Sequence, residues 1–329
     1  MRIIISLLIF FLALPANAQC AGENLISAMN TADRNTLETA VAMHPYPSGN
    51  LWRAQKGDSI IHVMGTIHLS DGRLAAYLEP LWPIVDTADL ILLEATRETM
   101  EQLKAAMTND PSLMFITDGP TLPERLSDED WALLTKEMSA RGIPGFLASK
   151  MQPWYVSMML AIPPCTMAAV AEQNGVDQRI MNRAAIGGVQ TRALEPYDVI
   201  FSLFGGDGGE DELDILRMSL LNTQGADAMF ATMIEAYLSG EHRAIWELGR
   251  HQTMQAEGLS QEDALQMYND LETALLTDRN ANWMDVILPA TEEANNILIA
   301  VGAAHLSGSD GLLSLLESSG YILTRVEGY

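Results

Sequence analysis

Two short segments of the sequence repeat one pattern, and each carries a histidine that could take part in chemistry. Residues 65–70 read GTIHLS and residues 302–307 read GAAHLS, each after an apolar run that is typical of a buried strand. A glycine at the end of a strand lets the backbone turn sharply, so a histidine three positions later can project from the turn. A histidine in this position is often only a hydrogen-bonded structural residue. Because the setting occurs twice, we expect His68 and His305 to share one site.

Two glutamates also come directly after predicted strands. Glu94 follows residues 89–93, and Glu195 follows residues 189–194. The carboxyl ends of parallel strands meet at one edge of a sheet, where open α/β proteins form their clefts. We therefore expect both glutamates to border the same cleft as the two histidines.

Two imidazoles and a carboxylate are a suitable ligand set for a divalent first-row metal such as Mn, Co, Zn or Fe. We predict His68, Glu94 and His305 as the ligands. The metal would act as a Lewis acid and lower the pKa of a bound water, which is the chemistry of a hydrolase. Glu195 could then take a proton from the water and deliver it to the leaving group.

Two other interpretations use the same residues. In a metal-free hydrolase one histidine would be the general base, a glutamate would orient it, and Arg179 or Arg279 would stabilise the developing oxyanion. Either arginine could equally form a structural ion pair. A binding protein could use the cleft for a peptide or a haem-like ligand without turnover. The sequence contains no HExxH helix, no GxSxG turn and no cysteine pair with metal-ligand spacing.

The elements that would position these residues form two similar units, each with a strand, a GxxH turn, a helix and a second strand. The first strand of the first unit is also the second strand of a predicted hairpin, and the helix of this unit is predicted over residues 74–84, ending near Pro83. Between the units lies a helical insertion of about 97–290, interrupted by a strand near 189–194. The sequence thus predicts an α/β fold with a mixed central sheet. No Pro/Ser-rich linker divides residues 19–329, which favours a single domain.

The composition limits the class of partner. The chain has 329 residues, 48% of them hydrophobic, and can bury a substantial core. Its net charge is −24, with 43 acidic against 19 basic residues. Nucleic acid and anionic membrane surfaces are poor partners for such a charge, although solubility explains most of it.

The N-terminus has the pattern of a secretory signal. Residues 1–18 combine a short basic start, an apolar run and an Ala-Asn-Ala cleavage signal. No later apolar run has the length needed to span a bilayer, so we expect no membrane anchor after cleavage. This predicts an exported protein, periplasmic in a host with an outer membrane.

Cys20 and Cys165 are the two cysteines of the sequence. In an oxidising compartment a disulfide between them is the simplest use, and it would tie the mature N-terminus to the body of the protein. The alternative is that Cys165 is a buried free thiol.

Five segments together resemble the TraB/GumN family: 65–68 (GTIH), 92–95 (LLEA), 175–177 (GVD), 278–283 (DRNANW) and 301–306 (VGAAHL). The resemblance runs from about Leu51 to Val326. It implies kinship with the Tiki proteins, which are metal-dependent proteases with paired GxxH motifs, and more distantly with erythromycin esterases and the haem-binding ChaN proteins. By this similarity His68, Glu94, Glu195 and His305 inherit site roles, and a peptide or protein segment is the expected substrate.

Overall fold

The computed structural model describes residue 20 and residues 22–167, 174–205, 209–221, 223, 225–255 and 260–329. The predicted signal peptide, residues 1–18, lies outside these residues. Six strands form one sheet: β1 Leu51–Lys56, β2 Ser59–Thr66, β3 Leu90–Leu93, β4 Gln190–Ala193, β5 Asn296–Gly302 and β6 Ile322–Arg325. Their order is β4-β3-β5-β2-β1-β6. The first four in that order are mutually parallel, whereas β1 is antiparallel to both β2 and β6. The predicted mixed α/β sheet is confirmed.

The helices before the insertion are α1 Leu25–Ala28, α2 Thr31–Ala42, α3 Leu74–Tyr77 and α4 Trp82–Thr87. Those from the insertion onward are α5 Arg97–Asn109, α6 Leu122–Arg125, α7 Asp128–Ala140, α8 Gly145–Ala148, α9 Pro153–Leu160, α10 Val176–Gly187, α11 Val199–Phe204, α12 Glu210–Leu221, α13 Ala226–Leu238, α14 His242–Met254, α15 Gln261–Glu272, α16 Asp278–Glu293 and α17 Leu312–Ser318. A π-helical turn, Thr273–Thr277, joins α15 to α16.

The helix predicted over residues 74–84 is divided in the structure. It consists of α3, a 3-10 turn at Glu79–Leu81 and α4. The sequence predicted that this helix ends near Pro83, and this prediction is wrong: Pro83 stands in the first turn of α4. Proline is well tolerated there because the first backbone N–H groups of a helix have no intrahelical partner.

Helices cover both faces of the sheet, which explains why β3 and β5 are apolar along nearly their whole length. All four residues of β3 are buried. On one face, α3, α4 and α10 pack against the sheet, and on the other face α16 and α17 do so. A third apolar cluster lies within the insertion, between α7, α8, α9 and α12.

The connections change direction between the neighbouring parallel strands β2 and β5. From β2 the chain continues to β3 on the far side of β5, whereas from β5 it continues to β6 at the opposite edge of the sheet. Such a topological switch point leaves a crevice at the carboxyl ends of the two strands. The two GxxH turns begin at these ends.

A disulfide joins Cys20 to Cys165, with their Cα atoms 5.4 Å apart, so the predicted pairing is present. It ties residue 20 to the 3-10 turn Pro164–Thr166. None of the helices in the described part of the chain is long and apolar enough to cross a bilayer.

Candidate active site

Four residues singled out in the sequence follow four neighbouring parallel strands at the same edge of the sheet. His68 comes after β2, Glu94 after β3, Glu195 after β4 and His305 after β5. The register aligns Thr66 with Gly302 and Leu93 with Ala300, so the strand ends are nearly level. The sheet therefore places these side chains at one crevice.

The backbone N–H of Gly302 holds the carboxylate of Glu94 at this edge. It donates to Oε1 of Glu94 at 2.5 Å. A Cβ atom on residue 302 would lie only 3.3 Å from that oxygen and 3.6 Å from the ring of His305. The glycine of the second GxxH turn thus allows a carboxylate and an imidazole to approach the backbone closely.

Arg279, in the first turn of α16, lies between the two glutamates. Its Nη2 donates to Oε2 of Glu94 and to Oε1 of Glu195, both at 2.6 Å, and its Nε donates to Oε2 of Glu195 at 2.9 Å. Its Nη1 lies 3.3 Å from Nε2 of His305. Arg179, the other arginine considered from the sequence, instead donates to the backbone carbonyl of Asn174 at 2.9 Å.

Asn280 determines which nitrogen of His305 carries the hydrogen. Its Nδ2 donates to the carbonyl of Asp310 at 2.9 Å, which leaves Oδ1 to accept from Nδ1 of His305 at 2.7 Å. Nε2 of His305 therefore keeps its lone pair and faces Arg279. Burial lowers the pKa of His305 to about 4, although Glu94 favours the charged form, so the ring is neutral at pH 7.

Trp283 fixes the same group of side chains from the next turn of α16. Its ring lies 4.4 Å from that of His305, centre to centre, and its Nε1 donates to Oε2 of Glu195 at 3.0 Å. The guanidinium of Arg279 lies 5.0 Å from the centre of the indole. Residues at i, i+1 and i+4 of one helix thus all contact the site.

His68 is paired with Asp177, the second residue of α10. Nδ1 of His68 lies 2.7 Å from Oδ2 of Asp177, whose other oxygen accepts from the hydroxyl of Thr66. The Asp177 charge, and then this hydrogen bond, raise the pKa of His68 to about 9, so the ring is protonated at pH 7. Its side chain is 72% exposed and lines the crevice. Burial would raise the pKa of Asp177, but His68 and Thr66 hold it below its usual value.

Glu94 is ionised in this setting. Burial alone would raise its pKa, yet His305, Arg279 and His68 together, with the Gly302 N–H, hold the pKa below its usual value. Both oxygens of Glu195 accept hydrogen bonds, from Arg279 and Trp283. Glu195 would have to release these donors to act as a base, and its predicted part in proton transfer stays a prediction.

The predicted donor set fits a first-row metal in its chemistry. Nδ1 of each histidine is bound to a partner that orients the ring, Asp177 or Asn280, as is usual for metal-ligating imidazoles. Nε2 of His305 and Oε1 of Glu94 lie 4.0 Å apart. The ligand atoms of His68, Glu94 and His305 do not all lie within 4.8 Å of one another, so metal binding would require the exposed His68 ring or the buried pair to move.

Within the described residues, one group of His, Cys, Asp and Glu has all its ligand atoms within 4.8 Å of one another: Cys20, Cys165 and Asp227. Its two sulfur atoms are joined in the disulfide, so this group offers no thiolate ligand.

A cavity of about 630 Å³ opens in front of the site. His68, Glu94, Asp177, Glu195 and Arg279 line its polar end, whereas His305 is buried and is not among the lining residues. Much of its remaining wall is apolar and comes from α5 and α11, with two methionines of α9 and α10; these residues are Met100, Leu103, Met158, Met181, Val199, Ile200, Leu203 and Phe204. The cavity thus joins charged groups to an apolar wall, which is the usual character of a small-molecule or peptide side-chain pocket.

Sequence reasoning assigned no role to Asp177, Asn280 or Trp283, although all three stand in the motifs quoted for the family resemblance. The available signal was local. Asp177, two residues after the glycine of GVD, lies where the first turn of a helix is expected. Asn280 and Trp283 are one and four residues after Arg279 on the same helix, so all three can face the same side.

Residues 50–325 match the model of the TraB/PrgY/gumN family, and the chain belongs to this family. The match covers the whole sheet and the helical insertion. A comparison with curated proteins gives no significant match.

Proposed function

We propose that this protein is an exported, metal-dependent hydrolase whose substrates are peptides or protein segments. Its metal, a divalent first-row ion such as Mn, Co or Zn, would be held by His68, Glu94 and His305. The observation that carries the proposal is the orientation of the two histidines, because each has its Nδ1 engaged by an orienting partner, so that Nε2 is the nitrogen that could bind a metal.

When bound, such an ion supplies Lewis acidity and activates water at neutral pH. The protein contributes the remaining parts. Asn280 keeps the lone pair on Nε2 of His305, and Asp177 orients the ring of His68. The Gly302 N–H fixes the carboxylate of Glu94. Because His68 is protonated at pH 7, it must lose its Nε2 hydrogen before that nitrogen can act as a ligand.

The cavity supports a peptide substrate. An apolar side chain of the substrate could occupy the wall formed by α5 and α11 while its backbone lies against the charged end. Methionines in such a wall adapt to side chains of different shape. Export is supported by the signal pattern of residues 1–18 and is compatible with the disulfide.

Metal binding is the first test. Protein purified without chelator should contain one of these metals, and the variants His68→Ala, Glu94→Gln and His305→Ala should lose it. His62→Gln is the matched control, since His62 lies on β2 but does not line the cavity. Cleavage of a panel of fluorogenic peptides, with and without EDTA, then tests the activity. Failure of the unmodified protein to bind any of these ions would overturn the metal-dependent proposal.

A metal-free hydrolase is the second candidate, and the His68–Asp177 pair favours it. A carboxylate that holds Nδ1 of an imidazole is the arrangement by which a general base is oriented in many hydrolases. Peptide or ester cleavage that persists in EDTA and disappears in His68→Ala would select this candidate. Tight binding of peptides without cleavage would instead indicate a binding protein.

A further inference from the structure

The guanidinium of Arg279 contacts the same side chains that the proposed metal needs. Its Nη2 donates to Oε2 of Glu94 at 2.6 Å, and its Nη1 faces the lone pair of Nε2 of His305 at 3.3 Å. A metal held by His305 and Glu94 would lie next to the positive charge of this guanidinium. Arg279 and the metal are therefore competing cations.

Arg279 is held more firmly by Glu195 than by Glu94. Two of its nitrogen atoms donate to the two oxygens of Glu195, at 2.9 and 2.6 Å, whereas one donates to Glu94. A bidentate arginine–carboxylate pair is stronger and more directional than a single contact. Trp283 supports this pair, because its Nε1 donates to Glu195 and its ring lies beside the guanidinium.

We propose that Arg279 competes with the metal for Glu94 and His305, and that Glu195 retains the arginine when the metal binds. This inference rests on the proposed metal-dependent function. It makes Glu195 a positioning residue, which acts through Arg279, and it explains why both of its oxygens are engaged. Binding of the metal would break the Arg279–Glu94 contact and leave the Arg279–Glu195 pair intact.

The proposal predicts opposite effects for the two partners of one ion pair. Arg279→Gln removes the competing cation, so the affinity for Mn²⁺ or Zn²⁺ should rise at least about tenfold. Glu195→Gln removes the partner that retains the arginine, so the affinity should fall by a similar factor, on the scale found for residues that support metal ligands. In the double variant Glu195 has nothing to retain, and the affinity should equal that of Arg279→Gln.

These affinities would be measured by isothermal titration calorimetry with each metal ion alone. The matched controls are Arg192→Gln and Glu293→Gln, which disrupt an arginine–glutamate pair with a 2.6 Å contact between β4 and α16. Both controls should bind metal like the unmodified protein. Far-UV circular dichroism and thermal unfolding would show that each variant is folded.

A crystal structure of the unmodified protein with bound metal gives a second measurement that needs no variant. Nη2 of Arg279 should then lie more than 3.5 Å from Oε2 of Glu94 and should remain bonded to Glu195. Weaker metal binding in Arg279→Gln, unchanged binding in Glu195→Gln, or an intact Arg279–Glu94 contact in the loaded crystal would each overturn this inference alone. Absence of metal binding in the unmodified protein would overturn both this inference and the proposed function.

Discussion

Nδ1 of His68 lies 2.7 Å from Oδ2 of Asp177, and this pair joins the turn after β2 to the first turn of α10. The two residues are far apart in the sequence. Their contact is possible because Gly175 carries no side chain, and because the N–H of Val176 donates to the carbonyl of Ile67 at 2.9 Å. The pair gives the site a charged group whose protonation depends on pH.

The first prediction concerns the free energy of unfolding as a function of pH. The pKa of His68 is about 9 in the folded protein and 6.5 in the unfolded chain, so the folded state binds the extra proton between these values. The stabilisation from the pair is fully present below pH 6.5 and is lost as the pH rises through 9. Asp177→Asn should flatten this decrease, as measured by chemical denaturation at several pH values.

Asp86→Asn is the control for that series, because Asp86 also pairs with a cation, Arg183, but at the surface away from the site. In Asp86→Asn the free energy of unfolding should decrease with rising pH as it does in the unmodified protein. An equal decrease in Asp177→Asn would show that His68 does not draw its raised pKa from Asp177.

Asn280→Ala should lower metal affinity about 10- to 100-fold without unfolding the protein, because His305 loses the acceptor that places its hydrogen on Nδ1. Titration calorimetry measures the affinity, and nitrogen NMR of the imidazole reports the tautomer. The control is Asn282→Ala, an exposed position two residues further along α16. If the tautomer of His305 changed and the metal affinity did not, metal binding would not depend on this tautomer.

Gly175→Ala should destabilise the protein by about 1–3 kcal/mol, the usual cost of forcing extra volume into a packed contact. A Cβ atom on residue 175 would lie 2.6 Å from the backbone oxygen of His68, and backbone cannot yield as a flexible side chain does. Gly72→Ala has open space around the new Cβ atom and should have little effect. Denaturant unfolding of both variants gives the comparison.

Replacing both cysteines by serine should lower the free energy of unfolding by about 2–4 kcal/mol, mainly because the unfolded chain gains freedom. The disulfide joins residues 145 positions apart and contacts none of the predicted metal ligands. Metal affinity should therefore stay unchanged. Two free thiols in the mass spectrum of the purified protein would contradict the pairing itself.

The sheet and the placement of its site residues could be predicted from local patterns. Strand patterns followed by a glycine or a glutamate identified the four parallel strands, and the parallel arrangement then brought His68, Glu94, Glu195 and His305 to one edge. Proline positions were harder to interpret. Proline ends a helix in many sequences, but Pro83 stands in the first turn of one. Only the packing of α4 on the sheet distinguishes the two cases.

The partners of the site residues could not be predicted in the same way. Asp177 and Asn280 act through contacts with His68 and His305, and such contacts depend on how the insertion folds back over the sheet. Periodicity reveals that a residue lies in the first turn of a helix. It does not reveal which strand end that turn will meet.

The sheet interleaves the early and late parts of the sequence, since β5 lies between β2 and β3 and pairs with both. Seven residues of β5 align with β2, and four align with β3. A single proteolytic cut in the helical insertion would therefore yield two pieces that remain associated through backbone hydrogen bonds and apolar contacts. Neither piece could form the central sheet alone. Two separately expressed halves of the chain should therefore fold only after they are mixed.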